Sequence, residues 1–463
     1  MKKVLTILIL VFFFPLINCK NNQANGPENK DTVCRISFPS NNSVFPKGEN
    51  IKISVDISIE KFEVRYVKFL IDEEIRLWDS ESPYFFYWNT SDENYGTHVI
   101  KTITMFEDGT FSEDEISLVL EYSYKIPENT GDGWEISSLN AVGIDTVRIH
   151  DMINKIITDY EFTNSVLIVR NGKLVLEEYF NDYNINKAND IASATKSVTS
   201  LLIGIAVEKG FIQSIDQKMM DFFPEYDTDS LDPRKIDITI RHLLKMKSGY
   251  PFDDHEDFNY RFWRTGNELK FTVEFPLTST PGDVYTYSSP STHILSAIIT
   301  KATGQNALNF GNDYLFEPLN ITVDWWPEDS LGNNIGGGGL GMTPREMARL
   351  GMLILNEGYY NGFQIVSSDW IKESLERYSS NVDWFQQYFT NFGYGYLWWM
   401  AQTGGHNIYF AAGHGGQHIL TIPDLNMIII TTANIIVPDD KLGSQVNAMY
   451  YLISNYIVPA IGN

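Results

Sequence analysis

The chain has 463 residues, of which 43% are hydrophobic, and this is enough to form the cores of two or three domains. Acidic residues outnumber basic ones by 59 to 35, and the formal net charge of −24 excludes nucleic-acid binding, which needs a cationic surface. The two cysteines, Cys19 and Cys34, are too few for a disulfide framework or a cysteine-rich zinc site.

The N-terminus has the pattern of an export signal. Two lysines precede an apolar run over residues 4–17, which is shorter than the roughly 20 residues that span a bilayer. We therefore predict a signal peptide over residues 1–18 and a protein exported to the periplasm or the cell surface. The run ends in Leu16-Ile17-Asn18-Cys19, which resembles a bacterial lipobox. This resemblance implies that Cys19 is lipidated and holds the protein to a membrane; a simple signal peptide and an uncleaved anchor are the alternatives.

The next segments read as a tether and a small β domain. Residues 19–32 are polar and predict a flexible tether. Residues 33–122 contain about six short segments of alternating polarity between turn signals, which is typical of an antiparallel β-sandwich. They resemble the immunoglobulin-like modules of bacterial surface proteins at Phe38-Pro39-Ser40 and Trp88-Asn89-Thr90. Such a module is either an adhesion domain for carbohydrate or protein, or a spacer that lifts an enzyme off a membrane.

The remainder of the chain mixes helical and strand patterns. Residues 123–133 contain Pro and Gly and little apolar content, so they predict a linker. In residues 134–463, Asn171-Gly172 lies between two apolar segments and predicts a hairpin. Two more apolar segments flank Pro423–Asn426 near the C-terminus. The predicted class is therefore α+β, with an antiparallel sheet built from both ends of this domain, flanking helices and a mostly helical insertion.

A serine and a lysine lie at the start of a predicted buried helix. Apolar residues follow Ser193 at helical spacing as far as Gly210. Ser193 and Lys196 are three residues apart and share one helical face, close to the unpaired N–H groups of the helix N-terminus. A lysine desolvated among apolar residues loses proton affinity, and its neutral form could accept the proton of a serine that attacks a carbonyl. The alternative for Ser193 is a simple helix cap.

Two further motifs follow in the sequence. Tyr287-Ser288-Ser289 comes after a turn, and His414-Gly415-Gly416-Gln417 precedes a strand pattern. Glycines there let a substrate lie against the backbone and let an N–H point at an oxyanion. Tyr287 could instead be a core aromatic residue.

Neither a metal nor a cofactor is implied by these motifs. His414 and His418 are four residues apart, but on a strand they would stand about 13 Å from each other. The glycine run at residues 336–339 lacks the preceding strand and the Lys-Ser/Thr ending of a phosphate-binding loop. It therefore predicts a flexible loop near the cleft.

Together, these motifs resemble those of a known superfamily. Ser193-Ala194-Thr195-Lys196, Tyr287-Ser288-Ser289 and His414-Gly415-Gly416, in that order, look like the three motifs of the serine β-lactamase and penicillin-binding-protein superfamily. Spacing and flanks are most similar to its esterase, class C and 6-aminohexanoate-dimer hydrolase branch. The resemblance implies a β-lactamase/transpeptidase-like fold and makes Ser193 the acylated nucleophile. It also makes Lys196 its base or proton relay and Tyr287 the general base or acid for the leaving group.

The same resemblance implies how a substrate is bound. The backbone N–H groups of Ser193 and Gln417 would form the oxyanion hole, and Ser289, His414, Gly415 and Gly416 would contact the substrate. Enzymes that hold the carboxylate of a β-lactam or a D-alanyl peptide usually have lysine at the position of His414, and they prefer asparagine at that of Ser289. The loss of a fixed positive charge favours a neutral ester or amide.

We therefore predict an exported serine hydrolase that acts on a small-molecule ester or amide. A D-alanyl peptidase or weak class C-type β-lactamase is the alternative within the same chemistry. The alternative of another class is a non-catalytic surface binding protein. The motifs specify neither the natural substrate nor the oligomeric state.

Overall fold

The computed structural model describes residues 33–58, 63–226, 228–251, 260–380, 388–436 and 439–462. The predicted signal peptide, Cys19 and the predicted tether lie outside these ranges. The chain divides into two compact units, one ending at Glu121 and the other beginning at Tyr122. Within the described ranges, no helix is both long and apolar enough to cross a membrane.

The first unit consists of strands. Its strands are β1 (Val33–Phe38), β2 (Ser43–Pro46), β3 (Asn50–Ser58), β4 (Val64–Ile71), β5 (Glu74–Asp79), β6 (Phe85–Asn89), β7 (Gly96–Phe106) and β8 (Phe111–Glu121). One sheet has the order β1-β3-β6 and the other β2-β8-β7-β4-β5. Every second residue of β7 is buried from His98 to Phe106, as expected for a strand with one face in a core.

Both sheets of the first unit contribute to one core. Ile53 comes from the smaller sheet, and Phe69, Ile100 and Leu118 come from the larger one. Cys34 is buried in this core, where its sulfur accepts a hydrogen bond from Thr104 Oγ1 at 2.9 Å. The unit is therefore a β-sandwich, as the alternating pattern predicts.

The second unit contains a long sheet and two short strand pairs. Its strands are β9 (Glu135–Ile136), β10 (Thr163–Arg170), β11 (Lys173–Tyr179), β12 (Asn189–Asp190), β13 (Gly341–Met342), β14 (Tyr359–Tyr360), β15 (Phe363–Gln364), β16 (Thr390–Tyr394), β17 (Trp399–Thr403), β18 (His406–Gly413), β19 (Gln417–Ile422) and β20 (Met427–Ala433). The long sheet has the order β16-β17-β18-β19-β20-β10-β11-β9. Its neighbours are antiparallel except for β11 and β9.

Helices cover this sheet and fill the middle of the unit. They are α1 (Thr146–Asp159), α2 (Thr195–Glu208), α3 (Ile240–Leu244), α4 (Glu268–Glu274), α5 (Ser289–Thr303), α6 (Ala307–Gly311), α7 (Pro344–Leu355), α8 (Ser368–Ser374) and α9 (Asp439–Leu452). Helix α7 packs on β19 and β20 through Gly351, where a Cβ atom would stand only 2.6 Å from Ile428 Cγ2. Chain segments before and after the helical middle thus meet in one sheet, which is the predicted arrangement.

The two turn predictions in this unit agree with the structure. Asn171 (φ 54°) and Gly172 (φ 76°) join β10 to β11 in the left-handed conformations that a tight hairpin needs. A short turn at Pro423–Leu425 joins β19 to β20. β10 pairs with β20, so Ile168 lies opposite Ile429 in the centre of the sheet.

The segment predicted as a linker, residues 123–133, is fixed to the second unit. Tyr124 donates a hydrogen bond to the Val175 carbonyl at 2.8 Å. The buried guanidinium of Arg345 donates to the Glu128 carbonyl and to Thr130 Oγ1, both at 2.8 Å. The polar composition that indicates a linker here provides acceptors for a buried arginine, and the segment therefore belongs to the second unit.

Candidate active site

Ser193 lies in a turn that the local backbone holds in an unusual conformation. It occupies a 3₁₀ turn over Ala192–Ala194, directly before α2. Ala192 has φ 47°, which is disfavoured for a residue with a Cβ atom. The turn is held by Asp190 Oδ1, which accepts from the Ala192 N–H at 2.8 Å, and by Thr195 Oγ1, which donates to the Ala192 carbonyl at 2.7 Å. These contacts present Ser193 at the N-terminus of a buried helix.

Lys196 is the buried polar centre of the site. Its side chain is almost completely enclosed, with 1% of the residue exposed. Its Nζ atom lies 2.8 Å from Ser193 Oγ, 2.8 Å from Ser289 Oγ and 2.8 Å from the carbonyl oxygen of Gly337. The spacing of three residues thus brings the alcohol and the amine into direct contact, and two oxygens from elsewhere in the chain complete the surroundings of the amine.

This geometry fits both protonation states of the lysine. A neutral amine has two N–H groups and one lone pair. When Ser289 Oγ and the Gly337 carbonyl accept the two hydrogens, the lone pair is left for the hydroxyl of Ser193. The ammonium form can donate to all three oxygens without moving. The site can therefore take up the serine proton with little rearrangement, which is what preorganised proton transfer requires.

Tyr287 packs directly over the amine. Lys196 Nζ lies 4.7 Å from the centroid of the Tyr287 ring, a distance at which a ring face stabilises a cation. The ring is nearly buried and contacts Tyr394 edge-on at 6.1 Å and Trp399 at 5.7 Å, centroid to centroid. The structure thus brings Ser193, Lys196 and Tyr287 together from two segments about 90 residues apart in the sequence.

The third motif forms the turn between β18 and β19. Gly413 and Gln417 pair across the hairpin, His414 is exposed at its tip, and Gly415 and Gly416 are buried. A Cβ atom on Gly413 would stand 2.2 Å from the carbonyl oxygen of Ile191, two residues before the serine. The end of β18 therefore lies directly against the segment that carries Ser193.

The side chain of Gln417 holds this turn to the sheet. Its Nε2 atom donates to the Ala433 carbonyl at 2.5 Å, and its Oε1 atom accepts from the Ala433 N–H at 3.3 Å. Gln445, which the sequence analysis did not single out, donates to the Gly415 carbonyl at 2.7 Å. The amide of Gln417 is thus a structural group, and the predicted role in an oxyanion hole rests on its backbone N–H.

Ser289, which the sequence predicts to contact the substrate, contacts the lysine in this structure. It is buried at the first turn of α5, where its Oγ lies on Lys196 Nζ. The preceding residue, Ser288, caps α5 by accepting a hydrogen bond from the Ser291 N–H at 3.2 Å. This motif therefore starts a helix and supplies a group that orients the amine.

The glycine run at residues 336–339 belongs to the site and is tightly packed, in contrast to the flexible loop expected from its composition. Gly337 supplies the carbonyl that contacts Lys196. A Cβ atom on Gly337 would stand 2.8 Å from the Ser289 carbonyl oxygen, and one on Gly336 would stand 2.6 Å from that of Thr292. Glycine is required because this loop lies directly on the backbone of α5. In the sequence, only the run of four glycines indicated that this loop lies near the site.

The two histidines near the third motif lie in different environments. His414 is exposed, whereas His418 is buried on β19 with its Nδ1 atom 2.9 Å from Thr431 Oγ1. Burial lowers the pKa of His418 to about 4, against a smaller opposing effect of a backbone hydrogen bond at Gly416. Its ring is therefore uncharged at neutral pH. Within the described ranges, no group of three or more His, Cys, Asp or Glu side chains could hold a metal ion.

Comparison with protein families decides the class of this site. The family model described as Beta-lactamase matches residues 162–446, which include all three motifs. The chain belongs to this beta-lactamase family. A second model, described as Bacterial Ig domain, matches residues 33–101. The expected superfamily and the immunoglobulin-like module are both confirmed, and the beta-lactamase-family domain is a serine hydrolase.

One relative of this beta-lactamase-family protein is named as a hydrolase. The chain is 24% identical over 300 residues to the 6-aminohexanoate-dimer hydrolase of Paenarthrobacter ureafaciens, covering 60% of this chain and 74% of that protein. It is 26% identical over 188 residues to Protein flp of Staphylococcus aureus strain MW2, covering 38% of this chain and 36% of that protein.

Solved structures agree on the fold of the beta-lactamase-family domain. The octameric penicillin-binding protein homologue from Pyrococcus abyssi has a TM-score of 0.53 at 20% identity, over 66% of this chain and 76% of that one. A penicillin-binding protein homologue from Caulobacter crescentus has a TM-score of 0.51 at 15% identity, over 66% of this chain and 97% of that one. At these identities the likeness shows the fold, and it confirms the predicted α+β class.

Proposed function

We propose that this protein hydrolyses a neutral ester or amide through an acyl-enzyme on Ser193. The observation that supports this most directly is the 2.8 Å contact between Ser193 Oγ and the buried Nζ of Lys196. A serine hydroxyl is a weak nucleophile until a neighbouring base removes its proton. Lys196 contacts that oxygen directly, and two further oxygens contact its amine.

The proposed reaction has two halves. As Ser193 Oγ bonds to the carbonyl carbon, its proton moves to Lys196, and the resulting oxyanion is held by the backbone N–H groups of Ser193 and Gln417. Tyr287 passes a proton to the leaving oxygen or nitrogen, whose bond to carbon breaks, and it regains a proton from the protonated Lys196. A water molecule then attacks the acyl-enzyme, which releases the carboxylic acid and restores Ser193. Each oxyanion donor of this kind typically contributes ~2.7–4 kcal/mol to the barrier reduction.

The residues around the substrate position support a substrate without net negative charge. His414 stands where a lysine would fix a carboxylate, and Ser289 contacts Lys196. The whole chain carries a formal charge of −24, which disfavours anions further. The name of the relative from Paenarthrobacter ureafaciens refers to the dimer of an amino acid, and an amide of this size is the natural first candidate.

A substrate comparison tests this choice. We expect a short-chain nitrophenyl ester and the 6-aminohexanoate dimer to be turned over at least about tenfold faster, in kcat/KM, than a chromogenic cephalosporin. His414→Lys should reduce the ratio between these kcat/KM values and that for the cephalosporin, because it provides a positive charge for the cephalosporin carboxylate. Ser193→Ala is the inactive control for every substrate.

Two outcomes would contradict the proposal. Faster turnover of the cephalosporin would favour the D-alanyl peptidase or β-lactamase alternative. A wild-type protein that reacts with a fluorophosphonate probe no faster than Ser193→Ala would favour the non-catalytic binding protein.

We also propose that the protein is exported and held to a membrane through Cys19. The support is the sequence pattern of a charged start, an apolar run and a cysteine directly after it. A labelled fatty acid should be incorporated into the wild-type protein and not into Cys19→Ser when both are expressed in a bacterium. Equal labelling of the two proteins, or none of either, would contradict the lipid anchor.

A further inference from the structure

A fully buried histidine–carboxylate pair lies at the base of the loop that contacts the catalytic lysine. His293 Nε2 is 3.0 Å from Asp329 Oδ2, and neither side chain is exposed to solvent. Burial alone would raise the pKa of Asp329, but hydrogen bonds from His293 and Asn333 lower it to about 2, so the carboxylate is charged. Among the described residues, no hydrogen-bond partner is found for His293 Nδ1. The contact with Asp329 is therefore the polar contact that orients this ring.

Asp329 organises the loop that starts at its own position. Its Oδ1 atom accepts hydrogen bonds from the backbone N–H of Leu331 at 2.8 Å and of Asn333 at 2.9 Å. Next along the chain, the Asn334 carbonyl accepts from Ser296 Oγ at 2.6 Å. The Gly336 carbonyl then accepts from Thr199 Oγ1 at 2.9 Å. One continuous set of contacts thus runs from Asp329 to Gly336, next to the carbonyl that Lys196 uses.

The same helix fixes this loop at both ends. His293 lies on α5 about one turn after Ser289. Gly336 and Gly337 lie so close to α5 that neither tolerates a Cβ atom without a clash with its backbone. A loop that is anchored at Asp329 and pressed onto α5 at Gly337 has little freedom to shift its carbonyl relative to Lys196.

We infer that His293 and Asp329 are positioning residues that fix the Gly337 carbonyl against Lys196 and so aim the amine at Ser193. This inference rests on the proposed role of Lys196 as the base. Burying the Asp329 carboxylate this deeply costs desolvation, and replacing a buried polar pair by apolar residues is often no less stable. The pair has a reason to be present here if the reaction requires the loop to stay in one position. Displacing a reacting group by about 1 Å can lower a rate about 100-fold, so a small shift of this loop matters for the reaction.

The test compares variants of the pair with a matched control. Asp329→Asn keeps the shape of the side chain and removes its charge, and His293→Gln keeps an N–H group that can reach Asp329. Glu177→Gln is the control, because the Glu177 side chain forms a nearly buried pair with Arg345, at 2.6 Å, between β11 and α7. For each full-length protein, kcat and KM for a nitrophenyl ester are measured together with the melting temperature.

We expect Asp329→Asn to lower kcat about tenfold or more while KM stays within about twofold of wild type. His293→Gln should lower kcat less, by about threefold, because it keeps a hydrogen bond to Asp329. Glu177→Gln should lower the melting temperature and leave kcat within about twofold. The inference is overturned if the folded Asp329→Asn protein keeps its kcat, or if Glu177→Gln loses as much. If Asp329→Asn does not fold, the folded His293→Gln protein decides. A kcat equal to that of wild type overturns the inference, and a lower kcat at an unchanged KM supports it.

One further variant separates this inference from the proposed function. If Lys196→Met retains activity in the same assay, the role of Lys196 as base is wrong, and the positioning role is overturned with it. If Lys196→Met loses activity while Asp329→Asn and His293→Gln retain theirs, only the positioning role is wrong.

Discussion

Replacing Lys196 by methionine should lower kcat/KM for ester hydrolysis by about 10²–10⁴-fold, the range of a lost general base. Methionine fills a similar volume but cannot accept the proton of Ser193 across the present 2.8 Å contact. The same variant should react with a fluorophosphonate probe more slowly by a comparable factor. Steady-state kinetics and probe labelling, each followed over time, measure the two effects.

A second buried lysine provides the control for this variant. Lys235 is as buried as Lys196, and burial lowers its pKa to about 8, but its Nζ donates to the Val273 carbonyl instead of facing a serine. Lys235→Met therefore removes a buried amine without removing the proposed base. We expect it to affect stability and to leave kcat/KM within a few-fold of wild type. Equal losses in the two variants would mean that Lys196 acts only through folding.

Replacing Tyr287 by phenylalanine should affect amides much more than activated esters. An amine must be protonated before it leaves, whereas nitrophenolate leaves without a proton. We expect kcat/KM for an amide to fall about 10²–10⁴-fold and that for a nitrophenyl ester to fall about tenfold or less. Parallel kinetics on an amide and an ester with the same acyl group measure this difference.

The ring packing around Tyr287 offers the matched control. Tyr394 is buried and contacts the Tyr287 ring edge-on, so Tyr394→Phe removes a hydroxyl from the same aromatic cluster. Tyr394→Phe should lower kcat/KM for the amide and for the ester by similar, small factors. If Tyr287→Phe also reduced the ester and the amide equally, Tyr287 would serve the packing of Lys196 and not the leaving group.

Local spacing explains why the contact between Ser193 and Lys196 could be predicted from the sequence. Ser193 and Lys196 are three residues apart, and helical geometry alone places such side chains together. The hairpin at Asn171-Gly172 is equally local, because two residues with positive φ determine it. The order of the three motifs along the chain indicated the superfamily.

The groups that orient Lys196 could not be predicted in the same way. The Gly337 carbonyl is 141 residues away in the sequence and belongs to the backbone, which every residue has. His293 and Asp329 are 36 residues apart and are polar residues in a fully buried pair, against the usual preference of such side chains for the surface. Only the packing of the glycine-rich loop against α5 brings them into one network.

The anchoring of residues 123–133 could not be predicted for a related reason. The polar groups of residues 123–133 could form hydrogen bonds with water as well as with protein partners. Their partner Arg345 lies more than 200 residues later and donates to the Glu128 carbonyl and to Thr130 Oγ1. A polar segment is exposed or anchored depending on whether a buried donor lies opposite it, and composition does not carry that information.

The account is tested most directly by locating the covalent adduct that a slowly released substrate or a fluorophosphonate leaves on the protein. Lys196 Nζ lies 2.8 Å from Ser193 Oγ and 2.8 Å from Ser289 Oγ, so two hydroxyls contact the proposed base. Intact-protein mass spectrometry followed by peptide mapping distinguishes them. We predict one adduct on Ser193, which is retained in Ser289→Ala and lost in Ser193→Ala. An adduct that maps to Ser289, or that persists in Ser193→Ala, would contradict the assignment of the nucleophile.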